Sequence, residues 1–466
     1  GRSHKRSELS VENASQAIML KQADTEPEAF IAEHPEIAIV EFLISDLNGI
    51  LRGKWAPVTA LKKAYGEGVN FPLSLFGLDV WGREVNDTGL HIDTGDRDGF
   101  CFAVPGTLSQ SGTGTQNAAQ LILTMKDENG VPFLGDPRQI LARQVDLLAA
   151  EGLTACAAFE LEFFLFDPHR LNGEGDPLPV GHGPGPERQN MYSLQSLEQY
   201  SAVFDDINKA AARQGVAVDT IVSEAAPGQF EVNLNHRTDV MRATDEAVLL
   251  KRIIAECAKA HGLKASFMAK PFPGQAGNGM HVHISLLDDT GSNIFSTAQG
   301  EALLRYAIAG TLDTMAECTL VFINTINGFR RLRPGSYAPT RAVWGRNNRS
   351  VAVRIPASPP SAARLENRIS GADANPYLVM TALLAAIRKG LKEAAEPAAP
   401  IEQNAYDTHD GHLPISPDAA LQLFYDSAFA KEAFTPLGHK IICALKQAEI
   451  DEFAAEITPL ERSTYG

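Results

Sequence analysis

The sequence has few cysteines, no long apolar run and no basic tract. These absences argue against a disulfide framework, a membrane-spanning segment and nucleic-acid binding, respectively. Its five cysteines are scattered without Cys-x-x-Cys spacing, and the odd number does not suggest a disulfide framework, so we expect a reducing, cytoplasmic location. Because there is no run of about 18 apolar residues and no signal-peptide pattern, we expect that the chain neither spans nor crosses a membrane. A formal net charge of −16 without a Lys/Arg-rich domain argues against nucleic acid as a partner.

A phosphate-binding loop is also missing. Residues 49–55, Gly-Ile-Leu-Arg-Gly-Lys-Trp, superficially resemble one, but the stretch is one residue short and has no Ser or Thr after the lysine. Any phosphate chemistry in this chain must therefore use other groups.

Composition and the pattern of predicted strands and helices divide the chain into three parts. Hydrophobic residues make up 44% of the 466 residues and charged residues 21%, which is ordinary for a soluble globular protein. Residues 1–20 begin with a polar, basic stretch, and we expect a disordered tail or an expression remnant. Residues 21–130 contain short strands bounded by Gly, Asp and Pro, which predicts a small sheet-rich domain. In residues 131–466 strands alternate with helices, which predicts a larger α+β domain.

Several elements can be placed from local signals. Residues 37–58 alternate apolar and polar on either side of Asn48-Gly49, which predicts a β-hairpin with a two-residue turn. Residues 168–190 are rich in Gly, Pro and charge and are expected to form a mobile loop. Helix N-termini are marked by a capping residue followed by proline at Asp136-Pro137, Asn375-Pro376 and Ser416-Pro417. The predicted helices are 137–152, 199–214, 244–260, 300–320, 376–394 and 417–427.

The most informative stretch is residues 157–166, Ala-Ala-Phe-Glu-Leu-Glu-Phe-Phe-Leu-Phe. So apolar a run predicts a buried strand, and its period of two places Glu160 and Glu162 on the same face. If unpaired, the two carboxylates would repel each other, and burial would raise their pKa values. A hard cation between them would remove this conflict. The alternative is an edge strand whose glutamate face is solvated.

Four further segments place polar side chains on one face of an apolar strand or beside a turn. They are residues 223–234, which bring Glu224 near Glu231; residues 277–286, with His281, His283 and Ser285 on one face; residues 351–356, with Arg354; and residues 364–368, with Arg364, Glu366 and Arg368. Each alone has an ordinary explanation, since a His-x-His pair is more often a surface pair and an Arg-x-Glu-x-Arg ladder is more often solvated. Together with the central strand, they favour one shared cavity.

The residue types in that cavity indicate its chemistry. Oxygen ligands with at most one imidazole select Mg²⁺ or Mn²⁺, and the lack of clustered thiolates argues against zinc. Arginines beside two or three divalent cations are typical of a polyphosphate site. The residues therefore predict phosphoryl transfer.

These residues resemble the glutamine synthetase family, and the resemblance covers nearly the whole chain. The motifs that carry it are Glu160-Leu161-Glu162, Pro227-Gly228-Gln229-Phe230-Glu231, Gly279-Met280-His281-Val282-His283, Arg331-Leu332-Arg333-Pro334-Gly335, Asn348-Arg349-Ser350, Arg364-Leu365-Glu366-Asn367-Arg368 and Ala374-Asn375-Pro376-Tyr377-Leu378. The resemblance implies an α+β fold in which a β-grasp-like N-terminal domain precedes a catalytic domain built on a curved antiparallel sheet with flanking helices. It also implies a dodecamer of two hexameric rings, with active sites between neighbouring subunits.

The resemblance implies a reaction in which ATP phosphorylates the γ-carboxylate of glutamate and an amine displaces phosphate. It assigns one divalent cation to Glu162, Glu224 and Glu231, and a second to Glu160, His281 and Glu366. It assigns glutamate to Gly277, Arg331 and Arg368, and ATP to Asp219, His283, Ser285, Arg349, Arg354 and Arg364. The catalytic candidates are Arg331 and Arg349, which match the family motifs, and Tyr337, which departs from them.

One departure from the family pattern bears on the amine. Ammonia-using members that resemble this sequence carry Glu in Pro-Gly-Tyr-Glu-Ala-Pro, whereas this chain has Tyr337 at that position, in Pro334–Pro339. A phenol with a pKa near 10 cannot act as an anion at neutral pH. An aromatic wall suits an alkylamine, whose carbon chain can pack on the ring. The pattern is similar to the γ-glutamyl-amine ligases, including γ-glutamylputrescine synthetases.

Other sequence signals for the amine-binding part of the site are less specific. The N-terminal loop around Phe76–Gly82 departs from the ammonia-using pattern, and Asp79 is the nearest candidate for an acid in the amine pocket, with Glu84 and Asp87 as further candidates. Tyr406 matches a family position for tyrosine modification, but we expect an ordinary exposed loop residue. Two alternatives stay open: a glutamine synthetase that uses ammonia, and a non-catalytic structural or regulatory oligomer of the same fold.

Overall fold

The computed structural model describes residues 25–112, 117–181 and 191–466 and contains two β-sheets. The first sheet consists of β1 (Ile39–Ser45), β2 (Leu51–Pro57), β3 (Val69–Pro72), β4 (Asp98–Ala103), β5 (Ser109–Gln110) and β6 (Ala118–Lys126). Its order is β2-β1-β6-β4-β3, with β5 attached to β6. Strands β1 and β6 are parallel, and the other pairs are antiparallel.

The second sheet has nine strands and carries the residues of interest. They are β7 (Thr154–Leu171), β8 (Pro177–Pro179), β9 (Val218–Ser223), β10 (Gln229–Leu234), β11 (Lys264–Ser266), β12 (Met280–Leu287), β13 (Trp344–Arg346), β14 (Val353–Ile355) and β15 (Leu365–Asn367). The order is β13-β14-β15-β12-β7-β10-β9, with β8 and β11 attached to β7. Only the pairing of β13 with β14 is parallel among the described strands of this sheet.

Helices pack around these sheets. The α-helices with both ends in the described ranges are Leu61–Tyr65, Pro137–Ala150, Leu194–Gln199, Ser201–Arg213, Val240–Ala260, Gly300–Met315, Thr319–Phe322, Pro376–Glu393, Pro417–Asp426, Ala428–Ala433, Thr435–Ala455 and Pro459–Tyr465. Residues 25–33 are also helical. Short 3₁₀ turns lie at Val58–Ala60, Leu73–Gly77, Asn86–Thr88, Ile92–Thr94, Ile294–Ser296, Asn327–Arg330, Pro360–Ala362 and Ala405–Asp407. The predicted α+β fold is confirmed.

The central strand β7 has the predicted alternation. Phe159, Leu161 and Phe163 are buried in the core, whereas Glu160 and Glu162 lie half-buried on the opposite face. Since β7 lies between β12 and β10, the alternative of an edge strand is wrong. The five strands predicted to share polar faces, β7, β10, β12, β14 and β15, lie in one sheet.

The predicted helix starts and the hairpin can be compared with the structure directly. The Asp136, Asn375 and Ser416 side chains each accept a hydrogen bond from a backbone N–H in the first turn of their helix, so these caps are confirmed. Strands β1 and β2 form the predicted hairpin. The two-residue turn is wrong, because Ser45 pairs with Leu51 and residues 46–50 form the connection.

A side chain explains that longer connection. Asp46 Oδ1 accepts hydrogen bonds from the backbone N–H groups of Asn48 and Ile50, both at 2.9 Å. Gly49 takes the left-handed conformation, with φ of 80°. The turn is therefore organised by an aspartate that satisfies two backbone donors.

Three other expectations need correction. The predicted loop 168–190 begins too early, since β7 continues to Leu171 and pairs with β8, while residues 182–190 lie outside the described residues. The predicted helix 244–260 begins at Val240, because Asp239 caps it. The predicted helix 300–320 is divided into Gly300–Met315 and Thr319–Phe322.

A long helix was not predicted. Helix Thr435–Ala455 has no side-chain cap at Phe434, and His439, Lys446 and Glu449 are buried on its inward face. Polar residues at buried positions interrupt the apolar stripe by which an amphipathic helix is recognised. Lys446 Nζ and Glu449 Oε2 form an ion pair of 2.9 Å there.

The remaining predictions concern the cysteines, membrane-spanning helices, the N-terminal tail and the domain boundary. All five cysteines are buried free thiols. Among the described helices, none combines the length and the apolar character needed to cross a bilayer. The predicted tail, residues 1–20, lies outside the described residues. The division into domains at residues 21–130 and 131–466 stays a prediction.

Candidate active site

The polar face of the second sheet is built by strand register. Glu160 of β7 lies opposite His281 of β12, and on the other side Glu162 lies opposite Glu231 of β10. Glu366 of β15 lies opposite His283. Because side chains alternate along each strand, these pairings bring all six residues to the same side of the sheet.

Two cavities open on this face. The first cavity has a volume of about 820 Å³, and its lining includes Glu160, Glu162, Glu224, Glu231, Gly277, His281, Arg331, Tyr337, Arg349, Arg354, Glu366 and Arg368. The second cavity has a volume of about 500 Å³, and its lining includes Glu160, Asp219, His283, Ser285 and Arg364. Glu160 and Asn233 line both cavities, so the two are neighbours.

The first cavity contains all six residues predicted as metal ligands. Three groups of possible ligand atoms each lie within 4.8 Å of one another: Glu162 with Glu224 and Glu231, Glu160 with Glu231 and His281, and Glu160 with His283 and Glu366. His283, predicted for ATP alone, therefore also lies close enough to share a cation. The sequence signal for this was present, since His283 is on the same strand face as His281.

The carboxylates repel one another at this spacing. Burial, followed by the charge of Glu162, raises the pKa of Glu231 to about 10 and that of Glu224 to about 7. A divalent cation among them would relieve both effects, which is the conflict predicted from β7.

Glu160 is held by two imidazoles. His283 Nε2 lies 2.9 Å from Glu160 Oε1, and His281 Nδ1 lies 3.3 Å from Glu160 Oε2. Burial tends to raise the pKa of Glu160, but the hydrogen bonds from His281 and His283 outweigh it and lower that pKa. Arg364 Nε donates to His283 Nδ1 at 3.0 Å, so His283 carries its proton on Nε2 and donates it to Glu160.

Two guanidinium groups converge on Glu366, which is only 1% exposed. Arg354 Nη1 donates to Glu366 Oε2 at 2.9 Å, and Arg368 Nη1 donates to Glu366 Oε1 at 2.7 Å. Among the described residues, the buried Nε atoms of Arg354 and Arg368 have no hydrogen-bond partner. A buried donor without a partner is costly, so holding both guanidinium groups against Glu366 has a cost in stability.

Arg331 is buried beside Gly277. It donates to the carbonyl oxygens of Ile369 and Arg368 at 2.9 and 3.3 Å, and burial lowers its pKa. A Cβ atom at Gly277 would lie 2.8 Å from Arg331 Cγ and 2.4 Å from the Ala269 carbonyl oxygen. Glycine is therefore required where the backbone passes this close to Arg331.

The six residues predicted to bind ATP are divided between the cavities. Arg349 and Arg354 line the first, whereas Asp219, His283, Ser285 and Arg364 line the second. This division was not predictable from the sequence, because it depends on which strands become neighbours in the sheet.

Tyrosine side chains stand at the mouth of the first cavity. Tyr337 is 67% exposed with φ of 59°, and Tyr192 is 70% exposed with the same φ. Both line the first cavity, as does Met191. A left-handed backbone is uncommon for bulky residues and often marks a functional position. Tyr192 and Met191 were not predicted, and no signal in the local sequence identifies them.

The acidic candidates from the N-terminal region lie elsewhere. Among the described residues that line the two cavities, Asp79, Glu84 and Asp87 do not occur. Asp79 is 2% exposed; its Oδ1 accepts from the Trp81 N–H, and its Oδ2 accepts from Arg83 Nε, both at 2.9 Å. Within one chain, Asp79 organises its own loop and does not reach the site.

The site is of the class that holds divalent cations next to an anionic ligand, because carboxylates and imidazoles form its floor and arginines face them. The chain belongs to the glutamine synthetase family: the family model for the glutamine synthetase catalytic domain matches residues 134–465. Members of this family are enzymes that form an amide from glutamate, and this chain is a ligase of that kind.

Individual relatives cover almost the whole chain. It is 38% identical over 442 residues to the γ-glutamylputrescine synthetase PuuA of Escherichia coli (strain K12), which covers 94% of this chain and 93% of that protein. It is 30% identical to a glutamate–isopropylamine ligase of a Pseudomonas species, covering 91% and 92% of the two chains. It is 31% identical to a glutamine synthetase of Thermotoga maritima, covering 93% and 95%. A solved structure of GmaS in complex with ADP has a TM-score of 0.81 at 25% identity, covering 94% and 98%.

Proposed function

We propose that this protein is an ATP-dependent ligase that joins the γ-carboxylate of glutamate to an alkylamine, with putrescine or a related polyamine as the amine. The observation that carries this is the position of Tyr337, which lines the first cavity where ammonia-using members resembling this chain carry a glutamate. A neutral phenol cannot hold ammonium by an ion pair. The similarity to enzymes described as γ-glutamylputrescine synthetase and glutamate–isopropylamine ligase supports the same conclusion.

The donor set fits two or three Mg²⁺ or Mn²⁺ ions. Glu162, Glu224 and Glu231 would hold one, and Glu160, His281 and Glu366 another, with His283 close to the second group. The raised pKa values of Glu224 and Glu231 support this, since both carboxyls would be ionised beside a cation. When bound, the cations would neutralise phosphate oxygens and polarise the reacting groups.

The arginines would bind and orient the two anionic substrates. Arg331 and Arg368 would hold glutamate carboxylates near the Gly277 backbone, and Arg349 and Arg354 would hold the transferring phosphoryl group. The second cavity, with Asp219, Ser285 and Arg364, would take the rest of ATP. An oxygen of the γ-carboxylate attacks the γ-phosphorus, the bond to ADP breaks, and γ-glutamyl phosphate forms.

The amine then enters at the tyrosine end. The nitrogen of the neutral amine attacks the acyl carbon, the bond to phosphate breaks, and the proton lost from the nitrogen goes to the released phosphate. The rings of Tyr337 and Tyr192, with the Met191 side chain, would contact the carbon chain of the amine and give a cationic far end a cation–π contact. Alkylamines would therefore gain binding energy that ammonia cannot.

The test is phosphate release from ATP with glutamate, Mg²⁺ or Mn²⁺ and a panel of ammonium, methylamine, ethanolamine, putrescine, spermidine, isopropylamine and aniline. We expect strong release with putrescine or another alkylamine and little with ammonium. Equal or better release with ammonium would make the protein a glutamine synthetase. The absence of release with every amine, despite bound nucleotide and metal, would support the non-catalytic alternative.

We also propose a cytoplasmic dodecamer of two hexameric rings, which the family resemblance implies. Light scattering on the purified protein should give a mass about twelve times that of the 50.2 kDa chain.

A further inference from the structure

Residues 401–407, here called the strap, run beside the segment 344–350 that carries Arg349. Backbone and side-chain hydrogen bonds fasten the two together over most of their length. They are Ile401 N to Trp344 O at 2.8 Å, Asn348 Nδ2 to Ile401 O at 2.9 Å, Asn348 Nδ2 to Gln403 O at 2.8 Å, and Ala405 N to Ser350 Oγ at 2.9 Å. The strap is thus fixed relative to the phosphate side of the first cavity.

Tyr406 extends from the strap to the loop that carries Tyr337. Its phenol donates to the carbonyl oxygen of Ala338 at 2.8 Å. The Ser336 side chain and the Tyr337 backbone lie near this phenol; burial raises its pKa and outweighs the tendency of these two groups to lower it. The expectation of an exposed loop residue was wrong, because Tyr406 is half-buried and contacts three consecutive residues of the loop.

Among the described residues, the other hydrogen bonds of this loop are local: Ser336 Oγ also donates to the Arg331 carbonyl oxygen and the Ala338 N–H donates to Ser336 Oγ, both at 3.3 Å. Pro334, Gly335 and Tyr337 are exposed, and Gly335 and Tyr337 both have positive φ, at 78° and 59°. Within the loop, Ser336 Oγ donates to the Arg333 carbonyl oxygen at 2.6 Å. A bulky residue in the left-handed region persists only where surrounding contacts determine it, and Tyr406 supplies such contacts.

We propose that Tyr406 is a positioning residue for the amine. Through its hydrogen bond to Ala338, it fixes the position of the Tyr337 ring relative to the side of the cavity that carries Arg349. This inference rests on the proposed function, since it concerns the amine end of that site. Burial raises the pKa of Tyr406, so the phenol keeps the proton it donates.

The test compares Tyr406→Phe with the wild type in steady-state kinetics with putrescine. Loss of one hydrogen bond should raise the KM for the amine about fivefold, while the KM values for ATP and glutamate stay within about twofold. In a Tyr337→Ala background the same change should have no further effect on the amine KM, because the ring that Tyr406 positions is gone. An unchanged amine KM, an equal rise for all three substrates, or full additivity with Tyr337→Ala would each overturn the proposal.

A matched control and a second readout separate positioning from general destabilisation. Tyr377→Phe removes another buried phenol hydrogen bond, from Tyr377 Oη to Asp245 at 2.6 Å, and should lower the unfolding temperature without changing the amine KM. Chymotrypsin cleavage after Tyr337 should be faster in Tyr406→Phe than in wild type, and equal rates would contradict the proposal. If wild type releases no phosphate with any amine, the proposed function fails, whereas the cleavage rates still test the strap.

Discussion

Glu231 lies directly opposite Glu162 where strands β10 and β7 pair. Like charges in directly opposed positions destabilise a sheet, and Glu224 adds a third carboxylate within 4.8 Å of both. The fold nevertheless holds all three together on the floor of the first cavity. Such an arrangement is stable when the carboxylates share a cation or a proton. Stability measurements with and without metal can distinguish the two.

The first prediction concerns the cation. In wild type, Mn²⁺ at roughly 100 times its dissociation constant should stabilise the protein by about 2.7 kcal/mol. Glu231→Gln should lose most of this, because a neutral amide replaces a ligand, yet its metal-free stability should equal or exceed that of wild type. The measurement is thermal unfolding with EDTA and with Mn²⁺. Glu393→Gln, on an exposed helix surface, is the control and should respond to Mn²⁺ as wild type does.

The second prediction concerns pH in the metal-free protein. The folded-state pKa of Glu231 is raised to about 10 and that of Glu224 to about 7. The folded state therefore keeps protons that the unfolded state releases above about pH 4.3, so stability falls as pH rises from 5 to 8. Unfolding temperatures should show this fall in wild type with EDTA and a smaller fall in Glu231→Gln. If the stability of the metal-free wild type rises over this range, the carboxyls of Glu231 and Glu224 do not have raised pKa values in the folded state.

The polar floor of the site was predictable because it depends on alternation within single strands. Glu160 and Glu162, like His281 and His283, are two residues apart, and any regular strand places such pairs on one face. The family motifs then supplied candidate roles that composition alone could not.

Features that depend on tertiary structure were not predictable. Tyr192 follows a segment with no periodic pattern, and its backbone N–H donates at 2.9 Å to the carbonyl oxygen of Ser223, which is distant in the sequence. Both cavities are lined by residues of β7 and β12, two strands that are far apart in the sequence and pair in the sheet. The turn at residues 46–50 is longer than predicted because the Asp46 side chain takes the place of backbone partners.

The third prediction separates the two groups of arginines. Arg368 lines the first cavity and Arg364 the second. Because lysine cannot reproduce two-pronged guanidinium contacts, Arg368→Lys should raise the KM for glutamate roughly tenfold or more, and Arg364→Lys should raise mainly the KM for ATP. Steady-state kinetics with each substrate varied in turn provide the measurement. If both variants affect the same substrate, the assignment of the cavities is wrong.

The last prediction concerns the amine and follows from the position of Tyr337. Tyr337→Glu places a carboxylate where the phenol lines the first cavity, so the site regains an anion that can hold ammonium and loses the aromatic wall for a carbon chain. The ratio of kcat/KM for ammonium to kcat/KM for putrescine should rise at least about tenfold, equal to about 1.4 kcal/mol. Tyr337→Phe is the matched control: it keeps the ring and should keep the preference for the alkylamine. If Tyr337→Phe changed the ratio as much as Tyr337→Glu did, the hydroxyl group and not the ring would determine amine selection, and the aromatic-wall explanation would have to be abandoned.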